Sequence, residues 1–98
     1  MEIQVLKNDN IVIEIKGRLD TTTSPLLSQK IKEIEIDKDL VIIDFKNLDY
    51  ISSAGLRVLL AIKNMLEEQN KSLEIHNVNE VIMEVFNVTG FINVLNIK

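Results

Sequence analysis

The sequence contains no cysteine and no tryptophan, a single histidine, one proline, three glycines, three phenylalanines and one tyrosine. Without cysteine there is no disulfide framework, no thiolate-bound zinc or iron–sulfur centre and no thiol nucleophile. One histidine, His76, cannot furnish a histidine-rich metal site, and it leaves a Ser-His-Asp arrangement with a single candidate base. The glycines are widely separated, so no glycine-rich loop is present to cradle phosphates. With so few aromatic side chains there is little on which bases would stack. The net charge of −4 disfavours nucleic acid and anionic membrane as partners. No apolar run approaches the ~18 residues that would cross a bilayer. The start, Met1-Glu2-Ile3-Gln4, lacks the basic and apolar regions of a secretory leader. What remains is 46% hydrophobic and 27% charged over 98 residues, the make-up of one globular domain spanning residues 1–98. It is expected to be cytoplasmic, to need no metal or cofactor, and not to be a self-sufficient enzyme.

Period-two alternation governs the first segment. Ile3 and Val5, then Ile11, Ile13 and Ile15, stand against Gln4, Glu14 and Lys16, with Asn8-Asp9-Asn10 between them. That pattern predicts a β-hairpin. Gly17-Arg18-Leu19-Asp20 and three threonines are then expected to leave the sheet. Ser24-Pro25 predicts a helix start, with Ser24 as N-cap and Pro25 at the first helical position. Leu26, Leu27, Ile31 and Ile34 form its apolar face, and its end is expected around residues 35–38. Leu40-Val41-Ile42-Ile43-Asp44-Phe45 reads as a central strand. Residues 46–51 read as a loop, followed by a second helix opening at Ser52-Ser53-Ala54-Gly55-Leu56 and running to about Gln69. Residues 73–76 alternate as another strand. Asn79 caps a third helix, Gly90 ends it, and residues 91–98 are expected to form a last edge strand. The order β-β-α-β-α-β-α-β implies right-handed crossovers between parallel strands. Because several strands alternate apolar with polar residues, one sheet face is expected to stay open. The fold class is therefore a two-layer α/β domain: a mainly parallel sheet, an antiparallel N-terminal strand, and the helices on one face.

In an open parallel sheet, ligands and partners meet the loops at the carboxyl ends of the strands. Those loops carry Asp20, Thr21, Thr22, Thr23, Asp49, Ser52 and Ser53. Nucleophilic catalysis is a poor fit, since Ser52-Ser53-Ala54-Gly55 lacks the Gly-x-Ser-x-Gly frame and His76 alternates with Ile75 on a strand that faces solvent. Paired carboxylates from Asp20 and Asp44 or Asp49 have no apolar pocket implied around them, and loop ordering is the simpler role for Asp20. Ser53 lies in the first turn of a helix, beside free N–H groups and the positive end of the dipole. A phosphate there would be tolerated by the fold, with Arg57 one turn away to help neutralise it. On physics alone a plain capping role for Ser52 or Ser53, worth about 1 kcal/mol, is favoured over modification.

The run Asp44-Phe45-Lys46-Asn47-Leu48-Asp49-Tyr50-Ile51-Ser52-Ser53-Ala54-Gly55-Leu56-Arg57 resembles the signature of bacterial anti-sigma factor antagonists, the STAS domain family. Gly17-Arg18-Leu19-Asp20 and Phe86-Asn87-Val88-Thr89-Gly90-Phe91 resemble two further markers, in the family's order and spacing. The resemblance implies a partner-switching protein whose unphosphorylated form binds an anti-sigma factor serine kinase and so frees a sigma factor. The kinase then phosphorylates the antagonist at the start of the second helix, and a metal-dependent serine phosphatase reverses the mark. Aligned through Gly55, the phosphoacceptor falls on Ser53, which reverses the preference for a plain cap. Ser52 stands where the family often has an acidic residue and is the second choice. Asp20, Thr21, Thr22, Asp49, Ser52, Ser53, Ala54, Gly55 and Arg57 form the implied partner surface. Arg57 occupies a position where the family commonly has glycine, and the fourth helix of many members is expected to be short or missing here. The resemblance also admits a second role, a non-phosphorylated adaptor subunit of a scaffold or lipid-transport complex. In either role a monomer that touches neither nucleic acid nor membrane is expected.

Overall fold

Alternating apolar residues decide which face of the sheet is buried, and the strand register shows it row by row. The computed structural model describes residues Met1–Lys98. Its elements are β1 (Glu2–Lys7), β2 (Ile11–Leu19), α1 (Ser24–Glu33), β3 (Leu40–Ile51), α2 (Ser53–Glu68), β4 (Ser72–His76) and α3 (Glu80–Thr89), followed by a 3₁₀ turn at Phe91–Asn93. The strands lie in the order β1-β2-β3-β4, with β1 antiparallel to β2 and the other pairs parallel. Val5, Ile13, Ile43 and Ile75 form one lateral row, flanked by the row Ile11, Val41 and Leu73. Onto this face pack Leu27 and Ile31 of α1, Leu56, Leu59, Ile62 and Leu66 of α2, and Ile82 and Phe86 of α3, all buried. Each such side chain contributes roughly 1.5–3 kcal/mol by leaving water. Phe45 and Phe86 meet at a ring-centroid distance of 6.3 Å and tie α3 to the sheet. The opposite face carries the row Gln4, Glu14, Asp44 and His76, exposed at Gln4 and half-buried at the other three. The expected two-layer arrangement, with a hairpin and stepwise parallel crossovers, is what the chain adopts.

Four local expectations are corrected. Residues 46–51 are not a loop but the second half of β3. Glu14 pairs with Asp44 while Lys16 pairs with Asn47, and Gly17 pairs with Leu48 while Arg18 pairs with Tyr50. At each step β3 accommodates one extra residue, which is a bulge. The two bulges turn the inward period from two to three, so Phe45, Leu48 and Ile51 are all buried, and the alternation that marks a strand disappears from the sequence. For the same reason Gly17, Arg18 and Leu19 do not leave the sheet but remain in β2. Thr23, not Ser24, holds the N-cap position of α1, which ends at Glu33, earlier than expected. Residues 91–98 do not form a strand. Gly90, at φ +82°, reverses the chain into the 3₁₀ turn, where Val94 N–H bonds Phe91 C=O at 3.0 Å, and Leu95 is buried. Sheet pairing resumes only as a single bridge between Ile97 and Ile75.

Candidate functional site

The carboxyl ends of the parallel strands form a rim in which hydroxyls and carboxylates are held by backbone. The turn at residues 20–23 is ordered from within. Asp20 Oδ1 accepts from Thr22 N–H at 3.0 Å and from Thr23 N–H at 3.1 Å, while Thr23 Oγ1 accepts from Asp20 N–H at 2.8 Å. Thr23 Oγ1 also donates to Arg18 C=O at 2.6 Å. This reciprocal pattern has the logic of a capping box and feeds directly into α1, where Ser24 N–H bonds Asp20 C=O at 2.8 Å. The Thr23 N–H bond is the largest influence holding the Asp20 carboxyl below its ordinary pKa; desolvation, next in size, opposes it, and the Thr23 hydroxyl, Thr22 N–H and Arg18 add to the lowering. Arg18 Nε lies 3.6 Å from Asp20 Oδ2, and its guanidinium carbon lies 4.4 Å above the centre of the Tyr50 ring. Such a stacked cation is typically worth ~0.5–1 kcal/mol at an exposed site.

The start of α2 is clamped against this turn. Ser52 N–H donates to Leu19 C=O at 2.9 Å, which joins the end of β2 to the helix entry. Ser52 is the N-cap, its Oγ accepting from Gly55 N–H at 3.4 Å. Gly55 permits the approach: a Cβ there would lie 2.8 Å from Leu19 O and 2.7 Å from Ile51 Cγ1. Ser53, the first residue of α2, is exposed and its hydroxyl is not drawn into the cap. The third loop joins through Asn79, whose Nδ2 donates to Leu48 C=O at 3.0 Å and whose Oδ1 caps α3 by accepting from Ile82 N–H at 2.8 Å. His76 Nε2 lies 2.8 Å from Glu74 Oε1, on the open sheet face, so the single histidine is engaged with a carboxylate rather than with either serine.

Of the residues singled out from the sequence, Asp20, Thr21, Thr22, Ser52, Ser53, Ala54, Gly55 and Arg57 lie on the adjoining starts of α1 and α2, and Asp49 is exposed near the end of β3. Asp44 does not join Asp20 as a carboxylate pair: its Oδ1 accepts from Lys46 N–H and from Asn77 Nδ2, each at 2.9 Å. Thr23 lies on the rim as expected, with the added role of ordering the turn, whereas the contact between Arg18 and Tyr50 was not foreseen. The Asp20-to-Thr23 spacing was a readable turn signal, but the stacking of Arg18 on Tyr50 depends on a pairing displaced by bulges.

Ser52 is thus committed to holding the α2 start, while Ser53, one residue on, leaves its hydroxyl exposed. The family model described as "STAS domain" matches residues 2–98, and the chain belongs to that family. It is 28% identical over 99 residues to the anti-sigma-B factor antagonist of Bacillus subtilis, an alignment covering 100% of this chain and 91% of that protein. Among solved structures it resembles the anti-sigma factor antagonist SpoIIAA in its unphosphorylated form, with a TM-score of 0.81 and 20% identity, covering 99% of this chain and 88% of that one. The Bacillus cell fate determinant SpoIIAA in its phosphorylated form gives a TM-score of 0.72 at 20% identity, covering 99% and 91%. Likeness at that identity is a likeness of fold. No helix is long and apolar enough to cross a membrane.

Proposed function

We propose that this chain is an anti-sigma factor antagonist acting by partner switching in the cytoplasm, with Ser53 as its phosphoacceptor. The unphosphorylated rim binds an anti-sigma factor that is also a serine kinase, and the sigma factor is thereby released. The observation that carries this reading is the contrast between the two serines: Ser52 is committed as N-cap, whereas Ser53 is exposed at the first position of α2. The name borne by the Bacillus subtilis relative supports it. The chain need not supply a base, because Mg²⁺, nucleotide and the proton acceptor come from the kinase. A phosphate on Ser53 adds roughly two negative charges beside the α2 N-terminus, which tolerates them, and inside a close interface, which does not. A loss of ~3 kcal/mol weakens binding more than 100-fold. A serine phosphatase would restore the binding form.

Intact mass after incubation with host lysate and Mg-ATP tests the assignment. One added phosphate is expected, and none in Ser53→Ala. A phosphate that persists in the variant moves the site to Ser52. Absence of phosphate, under conditions that modify a known substrate, removes the switching mechanism. In binding assays with the kinase, Ser53→Ala is expected to bind, and Ser53→Asp to fold normally and bind poorly.

A further inference from the structure

The sheet has two edges, and the chain treats them differently. At the β4 edge its own end covers the strand: Ile75 N–H donates to Asn96 C=O, and Lys98 N–H donates to Ile75 C=O, each at 2.9 Å. At the β1 edge there is no such cover. Beyond the ladder with β2, no backbone group of the molecule bonds to the main chain of residues 2–6. Proteins usually blunt an edge with proline, a bulge, a very short strand or a charge pointing into the core. β1 is six residues long without proline, and its pairs with β2 run without a register shift. Its one charge on the core side is Lys7, at the far end, where Nζ donates to Glu35 C=O at 2.7 Å and lies 3.6 Å from Asp37 Oδ1. Ile3 and Val5, on the same side, pack against the core but stay half-buried, whereas their β2 partners Ile15 and Ile13 are buried. The apolar layer therefore ends at β1 with an open flank.

The register of β1 decides what fits this flank. A two-fold axis normal to the sheet sets β1 antiparallel to β1 of a second copy, with core-side residues opposite core-side residues. With the axis at Gln4, Ile3 faces Val5 of the second copy, and Val5 faces Ile3, on the core side. On the open side Gln4 faces Gln4 and Glu2 faces Leu6, so no like charges are opposed. An axis at Ile3 uses only the first half of the strand, and one at Val5 sets Lys7 against Ile3. The strand is complementary to itself in one register that spans nearly its full length. We infer that two copies of this chain join edge to edge through β1, making their four-stranded sheets one continuous sheet about an axis at Gln4. Main-chain hydrogen bonds supply the attachment, and the meeting of Ile3 with Val5 closes both open flanks. The strands of the second copy run the opposite way, so the two rims point apart and each Ser53 stays accessible. The inference goes beyond the phosphoacceptor assignment, does not rest on it, and replaces the expected monomer with a dimer.

The test uses the full chain. In sedimentation equilibrium the weight-average mass is expected to rise with concentration from 11.2 kDa toward twice that value. Over the same range, hydrogen exchange is expected to slow within β1 and not elsewhere. Gln4 is exposed, so a charge can be placed there without entering the core. Gln4→Lys and Gln4→Glu each oppose two like charges at the axis. Each alone is expected to weaken the dimer by roughly fivefold or more, with thermal stability unaltered at low concentration. An equal mixture of the two variants sets lysine against glutamate and is expected to recover the dimer. A mass that stays at 11.2 kDa up to millimolar concentration would overturn the inference. So would undiminished dimerisation of Gln4→Lys, a mixture that fails to recover, or exchange that slows away from β1. Slowing of β1 exchange by a different protein, with no self-association, would assign the edge to a foreign strand and overturn it as well. None of these readings uses a kinase, so their failure leaves the Ser53 assignment standing, and failure of that assignment leaves them unchanged.

Discussion

Replacing Gly55 with alanine sets two effects of opposite sign against each other. Alanine favours the helix by up to about 1 kcal/mol over glycine. Its Cβ, however, would stand 2.8 Å from Leu19 O, a backbone atom that cannot swing aside, and 2.7 Å from Ile51 Cγ1. Overpacking of this kind costs about 1–3 kcal/mol. Gly55→Ala is therefore expected to lower the urea midpoint, and an unchanged or raised midpoint would show that the helix start can slide off β2. Asp20 gives a prediction with a pH signature. Its folded-state pKa is lowered, chiefly by the Thr23 N–H bond, so its contribution to stability is present above the unfolded-state pKa of about 3.9 and is lost as pH falls through the lowered folded value. Asp20→Asn should thus be less stable than the parent at neutral pH, with the gap narrowing as unfolding is repeated at progressively more acid pH. A gap that stays constant through the acid range would mean that the carboxylate charge is irrelevant to the turn. Asp20 was legible in the sequence because it acts through Thr22 and Thr23 within three positions, whereas Gly55 stood out only through the family resemblance, since the Leu19 backbone it approaches belongs to β2. Arg18 and Tyr50 were not legible, since nothing within either segment indicates that the two side chains meet.

At the scale of elements, caps of differing geometry invite a direct comparison. Asn79 accepts from Ile82 N–H at 2.8 Å and also donates to Leu48 C=O at 3.0 Å, whereas Ser52 Oγ accepts from Gly55 N–H at 3.4 Å. Loss of an N-cap costs about 0.5–2 kcal/mol. Asn79→Ala is expected near the top of that range and Ser52→Ala near the bottom, as read from denaturant unfolding; the reverse order would show that the Leu48 bond contributes nothing. The starts of α2 and α3 could be read from the chain because a cap is a local device. The second half of β3 could not, since Phe45, Leu48 and Ile51 reach the core at a spacing of three that no simple strand template contains. The C-terminal segment misled in the opposite sense. Its isoleucine, valine and leucine content suits a strand, yet Gly90 redirects it and Leu95 is spent on the core.

Over the whole molecule, a single cluster of 20 buried apolar residues links β2, β3, β4 and the three α-helices, with Ile3 and Val5 of β1 packed half-buried against it, so no part has a core of its own. Leu59, fully buried on α2, tests that unity. Leu59→Ala is expected to cost about 2–5 kcal/mol. Tyr50 fluorescence, reporting the rim, and far-ultraviolet ellipticity, reporting the helices, should then shift by the same amount in denaturant. Separate midpoints would reveal a rim that melts independently. The one-sided architecture was visible from strand alternation together with the right-handed crossovers, while the closeness of the β2 and α2 ends depends on β3 continuing past Phe45. That closeness has a consequence in time rather than in space. The half-buried Ser52 amide, bonded to Leu19 C=O, is expected to exchange its hydrogen only when the clamp opens, whereas the hydroxyl one residue on is exposed to solvent. A fast group is mounted on a slow support, so a protein docking at Ser53, as proposed, would find its backbone already ordered and be spared the entropy of arranging it.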